Sequence, residues 1–339
     1  MKELCLILKK GCLNKMYFPR NQKSHFDWIA DNLKTDGLKV DKSTKIVSMG
    51  SCFAREIKDW LLKNNFNYLL EEQEKDIWLN REMYPGDGEK KPSEHASVAW
   101  ERVYNTMTFN QIMKYSFLKD EDIDKEINSR LYETLGYVNG RPEKIIADLK
   151  RTRMTYRDLE IAKKDLRDHI EKSKQVLMDA EVVIFTLGFT EIWNSVDRNI
   201  TLPIYPLGNN KGYHPPQDFE FRASSFEENY QNVKNGVKLL KENNPNVKIL
   251  LTVSPVHLNL TYREDTDVVS ASCASKSILR AVADQIYKEE EQVYYFPSYE
   301  IVNMLCSLEN TAAYQSDGHH VQRNIVDNIM NTFYKVYVK

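Results

Sequence analysis

The sequence has few cysteines and almost no net charge. Its 339 residues carry 47 basic and 49 acidic side chains, for a formal net charge of −2. The cysteines number five and are widely scattered, at Cys5, Cys12, Cys52, Cys273 and Cys306. This spacing gives neither a disulfide framework nor a paired metal site, so we expect reduced thiols and a cytoplasmic protein. Without a basic surplus, nucleic acid is not an expected partner.

Long apolar runs are also missing. The apolar segment near the start, residues 4–8, is far shorter than the ~20 residues that cross a bilayer. No small-residue cleavage site follows it, so it does not resemble a signal sequence. The hydrophobic fraction of 42% is nevertheless enough for a sizeable core. We therefore expect no membrane span and no export signal.

Apolar runs and amphipathic stretches alternate along most of the chain. Strands are predicted at residues 46–50, 66–70, 181–187, 247–253 and 293–296. Helices are predicted up to residue 63, at 157–178, 226–240 and 275–288, and after residue 320. A helix between nearly every pair of strands is typical of a parallel sheet covered on both faces. The sequence thus predicts an α/β fold: a three-layer α/β/α sandwich with a flavodoxin-like parallel sheet of about five strands.

Two irregular stretches interrupt this alternation, at residues 71–156 and 195–222. We interpret both as insertions that could line a substrate site, because they are too long for ordinary connections. Residues 1–43 are interpreted as an N-terminal arm, and residues 44–339 as a single domain that carries the insertions.

The clearest chemical pattern is a strand, a turn and a helix around Cys52. The apolar strand ends at Gly50, which permits a sharp turn, and apolar residues then recur at helical spacing. Such a turn holds a small nucleophile at the carboxyl edge of a parallel sheet, where the helix N-terminus favours a thiolate. The alternative is an ordinary turn in which Ser51 caps the helix and Cys52 is a small core residue.

An acid and a base stand near the end of the chain. Asp317 and His320 lie three residues apart across Gly318, a spacing that can put the carboxylate beside the imidazole. The carboxylate would orient the ring, and the ring would move the nucleophile's proton. His319 is the nearest rival base, and His257 is a weaker one. Alternatively, Asp317 caps the final helix and the histidines face solvent.

Metal ligation is a further alternative for these side chains. Asp317, His319, His320 and His257 could form a ligand set. No HExxH motif or cysteine pair accompanies them, so we expect no metal and no required cofactor.

The predicted strand at 181–187 ends in Gly188, Phe189, Thr190 and Glu191. Turns at the carboxyl edge of such a sheet are where α/β proteins place ligands. Asn105, between apolar neighbours, is either an oxyanion donor or a helix N-cap.

The chain resembles the GSCFA family, which is named for the letters at residues 50–54, and through it a distant branch of the SGNH or GDSL hydrolase superfamily. The supporting stretches are TLGFTEIW at 186–193, TVSPV at 252–256, YFPSYE at 295–300 and DGHH at 317–320.

The resemblance implies a role for each matching residue. Cys52 takes the nucleophile position and Ser51 takes the place of the superfamily's Asp; a turn shifted by one residue would make Ser51 the nucleophile instead. Thr190 stands where an oxyanion-binding Asn is expected. Asp317 and His320 match the superfamily's final block without change.

The resemblance also implies a function. It suggests a carbohydrate O-acyltransferase or esterase of bacterial surface-polysaccharide biosynthesis, acting on a saccharide alongside other synthesis enzymes, with acyl-CoA as a natural co-substrate. The backbone N–H of Cys52, with Thr190 or Asn105, would hold the oxyanion. The alternative is a non-catalytic module that keeps the fold and binds a glycan or a partner enzyme.

Overall fold

The computed structural model describes residues 17–19, 22–35, 37–72, 77–79, 96–151, 154–204 and 216–338. Predictions about the apolar segment 4–8 and the thiols of Cys5 and Cys12 lie outside these residues. In chain order, the helices are α1 (His25–Asn32), α2 (Cys52–Lys63), α3 (Thr106–Ser116), α4 (Asp120–Arg130), α5 (Leu159–Asp179), α6 (Phe226–Asn243), α7 (Val268–Glu289), α8 (Ser298–Glu300), α9 (Cys306–Leu308) and α10 (Arg323–Tyr337). The strands are β1 (Ile46–Gly50), β2 (Leu131–Val138), β3 (Arg141–Asp148), β4 (Thr155–Tyr156), β5 (Val182–Leu187), β6 (Glu191–Ser195), β7 (Ile200–Leu202), β8 (Phe219–Ala223), β9 (Lys248–Val253) and β10 (Val293–Phe296).

The central sheet contains four parallel strands in the order β1-β5-β9-β10. Most of their side chains are buried on both faces, as expected for a parallel sheet between helices. The predicted α/β fold is confirmed, but the strand number is lower than about five. Residues 66–70 pair with β1 only through the bridge between Tyr68 and Ile46.

Two hydrophobic cores cover the two faces of the sheet, because successive strand residues point to opposite sides. Val47 and Val183 belong to the core under α3, α5, α6 and α7. Ile46 and Val182 belong to the core under α2 and α10. This arrangement is the predicted three-layer sandwich.

The two stretches interpreted as insertions contain regular structure. Strands β2, β3 and β4 form one antiparallel sheet, and β7, β6 and β8 form another. The Asn139–Gly140 pair, with φ of 50° and 76°, makes the tight turn between β2 and β3. The acidic residues at the start of α4, Asp120, Glu121 and Asp122, lie in its first turn. The status of the two stretches as insertions into one domain stays a prediction.

A buried network of charges ties the β2–β3 hairpin to α5. Arg130 donates to both oxygens of Asp148 at 2.7 Å, and Arg151 donates to Asp148 at 2.6 Å and to Asp165 at 3.0 Å. Burial by itself would raise the pKa of Asp148, but the two arginines more than offset it and hold the pKa well below its ordinary value.

Among the described helices, none is long and apolar enough to cross a membrane.

Asp148→Asn should lower the free energy of unfolding by about 3–5 kcal/mol, because it leaves two buried guanidinium groups without their shared carboxylate. Urea denaturation would measure the change. Glu133→Gln is the matched control, since Glu133 forms a solvent-exposed pair with Lys144 in the same hairpin and should cost less than about 1 kcal/mol. Equal losses of unfolding free energy in the two variants would contradict a stabilising role for the buried charge network.

The turn after β1 depends on Gly50. Its φ is +148°, and a Cβ there would lie 2.5 Å from the backbone oxygen of Thr186. Gly50→Ala should therefore cost about 2–5 kcal/mol of unfolding free energy. Gly140→Ala, at φ +76° with open space around it, should cost about 1–2 kcal/mol. Comparable urea midpoints for the two variants would refute the close packing at Gly50.

Candidate active site

Cys52 is the first residue of α2, directly beyond the carboxyl end of β1. Ser51 occupies the N-cap position, but its side chain makes no capping hydrogen bond. The Ser51 Oγ is fully buried and has no partner among the described residues. Cys52 is partly exposed. Of the two small nucleophiles at this turn, the structure brings Cys52 toward solvent.

Burial raises the pKa of the Cys52 thiol. Three cations act in the opposite direction, Arg102 most strongly, followed by Lys276 and Arg55. The helix N-terminus led us to expect a better thiolate from the sequence. The structure corrects this, because loss of hydration outweighs the helix and the cations in the resting state.

Two backbone contacts bring the segment before α3 to the thiol. The N–H of Val103 donates to the carbonyl of Gly50 at 2.8 Å. Gly188 packs so tightly that a Cβ would lie 2.5 Å from the Tyr104 carbonyl oxygen, which also accepts from the N–H of Phe189 at 2.7 Å. These contacts place the Tyr104 hydroxyl in hydrogen-bonding reach of Cys52.

Asp317 and His320 are in contact, as their spacing predicts. The carboxylate accepts from the backbone N–H groups of His319 and His320 at 2.9 and 3.0 Å, and lies 2.6 Å from His320 Nδ1. The hydrogen bond to His320 is the main reason why the pKa of Asp317 is well below its ordinary value. Asp317 does not cap the last helix, which begins at Arg323 with Gln322 as its N-cap. The His320 side chain is 54% exposed.

His319 faces the other way, into a cavity. Its Nδ1 atom is buried without a partner among the described residues, and its ring lies 5.4 Å from that of His257. Burial lowers the pKa of His319, and neighbouring positive charges, among them His320 and Lys276, lower it further. His319 is therefore neutral near pH 7, the form that a general base requires.

The proposed oxyanion residues have different surroundings. Asn105 is the N-cap of α3: its Oδ1 accepts from the N–H of Thr108 at 2.8 Å, and its Nδ2 donates to the Leu202 carbonyl at 2.9 Å. Of its two interpretations, the structure shows the N-cap. Thr190 is buried, and its N–H donates to Ser275 at 2.9 Å.

The cavity beside Tyr104 has a volume of about 250 Å³ and a mixed aromatic and polar wall. Trp193, Phe221 and Tyr262 form an aromatic trio there, with ring centroids 5.0–5.6 Å apart. Glu191 also lines the cavity, and its carboxylate accepts from Thr261 at 2.6 Å. Burial raises the pKa of Glu191.

The side chains considered above as metal ligands, Asp317 and the three histidines, do not lie close enough together to share one ion. Among the described residues, the group of acids close enough to share an ion is Glu72, Asp165 and Asp168, with oxygens within 4.8 Å. Two of these acids already have partners within the protein: Glu72 lies 2.7 Å from His169 Nδ1, and Asp165 accepts from Arg151. His169 is fully buried in this network.

Sequence reasoning missed Arg102, Tyr104 and Lys276. For Lys276 the sequence did contain a signal, because a basic residue on the buried face of a predicted amphipathic helix is unusual. Arg102 and Tyr104 fall in an irregular stretch whose position only the fold defines.

The comparisons with known proteins agree with the motif at the turn. One solved structure, an acetyl esterase crystallised with an acetate ion, is similar at a TM-score of 0.32 and 8% identity over 85% of this chain and 93% of that chain. A likeness so distant says nothing about function. No curated protein sequence matches significantly. The family model described as the GSCFA family matches residues 45–333, which is most of the chain. The chain belongs to the GSCFA family.

Proposed function

We propose that this protein is an acyl-transfer enzyme, an O-acyltransferase or esterase, in which the Cys52 sulfur attacks the acyl carbonyl. The observation that carries the proposal is the position of Cys52. It is the partly exposed first residue of a helix at the carboxyl edge of a parallel sheet, beside cations of which Arg102 lines the cavity. This edge is where α/β folds place their reactive groups.

The chemistry requires two half-reactions. The thiolate adds to the carbonyl carbon, and we assign the oxyanion to the N–H groups of Cys52 and Phe53 at the start of α2, because that of Ala54 already donates to the Ser51 carbonyl at 2.8 Å. The bond to the leaving group breaks, its sulfur (from acyl-CoA) or oxygen (from an ester) takes a proton, and a thioester remains on Cys52. A hydroxyl of the acceptor, or water, then loses a proton, attacks the thioester and restores the thiol.

We assign the general base to His320, because Asp317 holds its Nδ1 and leaves Nε2 for proton transfer. His319, which lines the cavity, provides the matched comparison.

The aromatic trio favours a saccharide as the acceptor. Flat ring faces contact the C–H faces of sugars, and Glu191 and Asn259 in the same wall can bond hydroxyl groups. Together with the resemblance given above, this supports a saccharide intermediate of surface-polysaccharide synthesis as substrate and acyl-CoA as donor.

Incubation with acetyl-CoA, or separately with an activated acetyl ester, should add one acetyl group to the wild-type protein. The adduct should disappear in Cys52→Ala and persist in Ser51→Ala, because Ser51 Oγ is buried away from substrate. Intact-protein mass spectrometry reads the result directly.

Loss of the adduct in Ser51→Ala alone would shift the nucleophile by one residue. No adduct and no ester turnover in any form, with glycan binding retained in both variants, would contradict acyl transfer and favour the binding module.

His320→Ala should reduce kcat/KM for the ester by about 10²–10⁴-fold, the usual contribution of a positioned acid–base group. His319→Ala should retain most of the activity. The reverse pattern would transfer the role to His319, and the acidic limb of the pH–rate profile would then lie below pH 6.5, since the pKa of His319 is lowered from that value. Full activity in both variants would refute a histidine base.

A further inference from the structure

Lys276 is a buried lysine that forms no ion pair with an acidic side chain of the described residues. Its side chain lies on α7, and the residue is only 2% exposed. The Nζ atom donates to the Gly188 carbonyl at 2.7 Å and lies 4.3 Å from the centre of the Phe189 ring. In the described part of the chain, no carboxylate forms an ion pair with it. A buried ammonium group is costly unless an anion compensates it.

The fold places this lysine next to the candidate nucleophile. Gly50 and Thr186 are register partners in neighbouring parallel strands, which lie roughly 4.8 Å apart. Cys52 and Gly188 each follow two residues beyond that pair, at the same edge of the sheet. Phe189, under the lysine, stacks on Tyr104 at 5.5 Å, and Tyr104 reaches Cys52. The acid that Lys276 meets in this arrangement is the Cys52 thiol.

We propose that Lys276 is the counter-ion of the Cys52 thiolate and accepts the proton that the thiol loses. This inference deepens the proposed function and rests on Cys52 as its nucleophile. It assigns the first proton transfer to Lys276 and leaves His320 to activate the acceptor hydroxyl.

The proton transfer is balanced between Cys52 and Lys276. The S–H and NH₂ groups become S⁻ and NH₃⁺, with no change in net charge. When the Cys52 sulfur forms a thioester, the ammonium loses its anion and gives the proton to the departing group, the sulfur of CoA or the oxygen of an ester. No other reactant is needed.

The electrostatics support this exchange. Burial lowers the pKa of Lys276 to about 7, although the negative charge of Cys52 opposes this shift. Burial raises the pKa of Cys52, and Lys276 is among the cations that lower it. Each group therefore favours the charged form of the other, and the two titrate as a coupled pair. The other charged and titratable groups facing the pair are Arg55 from α2, Arg102 and Tyr104 from the segment before α3, and His319 from the turn before α10.

The test measures the rate at which iodoacetamide alkylates Cys52 as a function of pH, resolved by peptide mass spectrometry. Lys276→Met should raise the apparent pKa of the thiol by about one unit, which slows alkylation about tenfold near neutral pH. Lys276→Arg should keep the rate within about threefold of wild type, because the positive charge stays.

Two controls fix the interpretation. Lys288→Met removes a charge from the same helix at a side chain that is 66% exposed, and should leave the profile unchanged. Cys273, which is exposed, reports in the same digest whether any variant alters reactivity in general. An unshifted Cys52 profile in Lys276→Met would overturn the proposal.

A reciprocal measurement covers the case in which Lys276→Met folds poorly. In Cys52→Ser, the NMR-measured pKa of Lys276 should fall below the wild-type value, because the thiolate no longer stabilises the ammonium. An equal or higher value would also overturn the proposal.

The two proposals can fail separately. If Lys276→Met shifts alkylation but Cys52 never carries an acyl group, the ion pair stands and acyl transfer falls. If the acyl adduct forms and the alkylation profile does not shift, acyl transfer stands and the ion pair falls.

Discussion

Close approach of backbone to backbone at the carboxyl edge of the parallel sheet organises this molecule. At Gly50 the chain comes so near to Thr186 that no side chain fits between them, and at Gly188 it comes equally near to the carbonyl of Tyr104. The first contact directs Cys52 out of the sheet at the start of α2. The second carries Tyr104 to the thiol and Phe189 beneath Lys276. Three segments far apart in sequence are thereby fixed around one sulfur atom.

Buried charge is distributed in two different ways. In the network between the hairpin and α5, Arg130 and Arg151 share the carboxylate of Asp148, so charge is compensated and the network serves the fold. At the sheet edge, Lys276 has a carbonyl and an aromatic ring as neighbours. An ammonium group that is buried without a compensating anion lowers the stability of the folded protein. An enzyme gains from it, because the lysine then changes its proton occupancy close to neutral pH.

The two adjacent histidines are separated by the turn that carries them. Asp317 accepts from both of their backbone N–H groups, which fixes the turn and sends the two rings in different directions. His320 lies beside the carboxylate and open to solvent, whereas His319 points into the cavity. The DGHH turn thus supplies one oriented, solvent-exposed imidazole and one half-buried imidazole at the edge of the candidate site.

The sequence by itself determined the alternation of strands and helices, because β5, β9 and β10 are largely apolar runs and the apolar residues of the helices recur every three to four positions. It also determined the turn at Gly50 and the contact of Asp317 with His320, since both depend on residues within four positions of each other. It did not predict the antiparallel sheets within 131–156 and 191–223, where most strands are half-exposed and mix polar with apolar residues, and where the Asn139–Gly140 turn was the one strong signal. Only the tertiary structure decided that Cys52 would meet Arg102, Tyr104 and Lys276, and that burial would raise its pKa. The reason is physical: desolvation and charge act through space, and the groups that impose them stand 50 to 224 residues away along the chain.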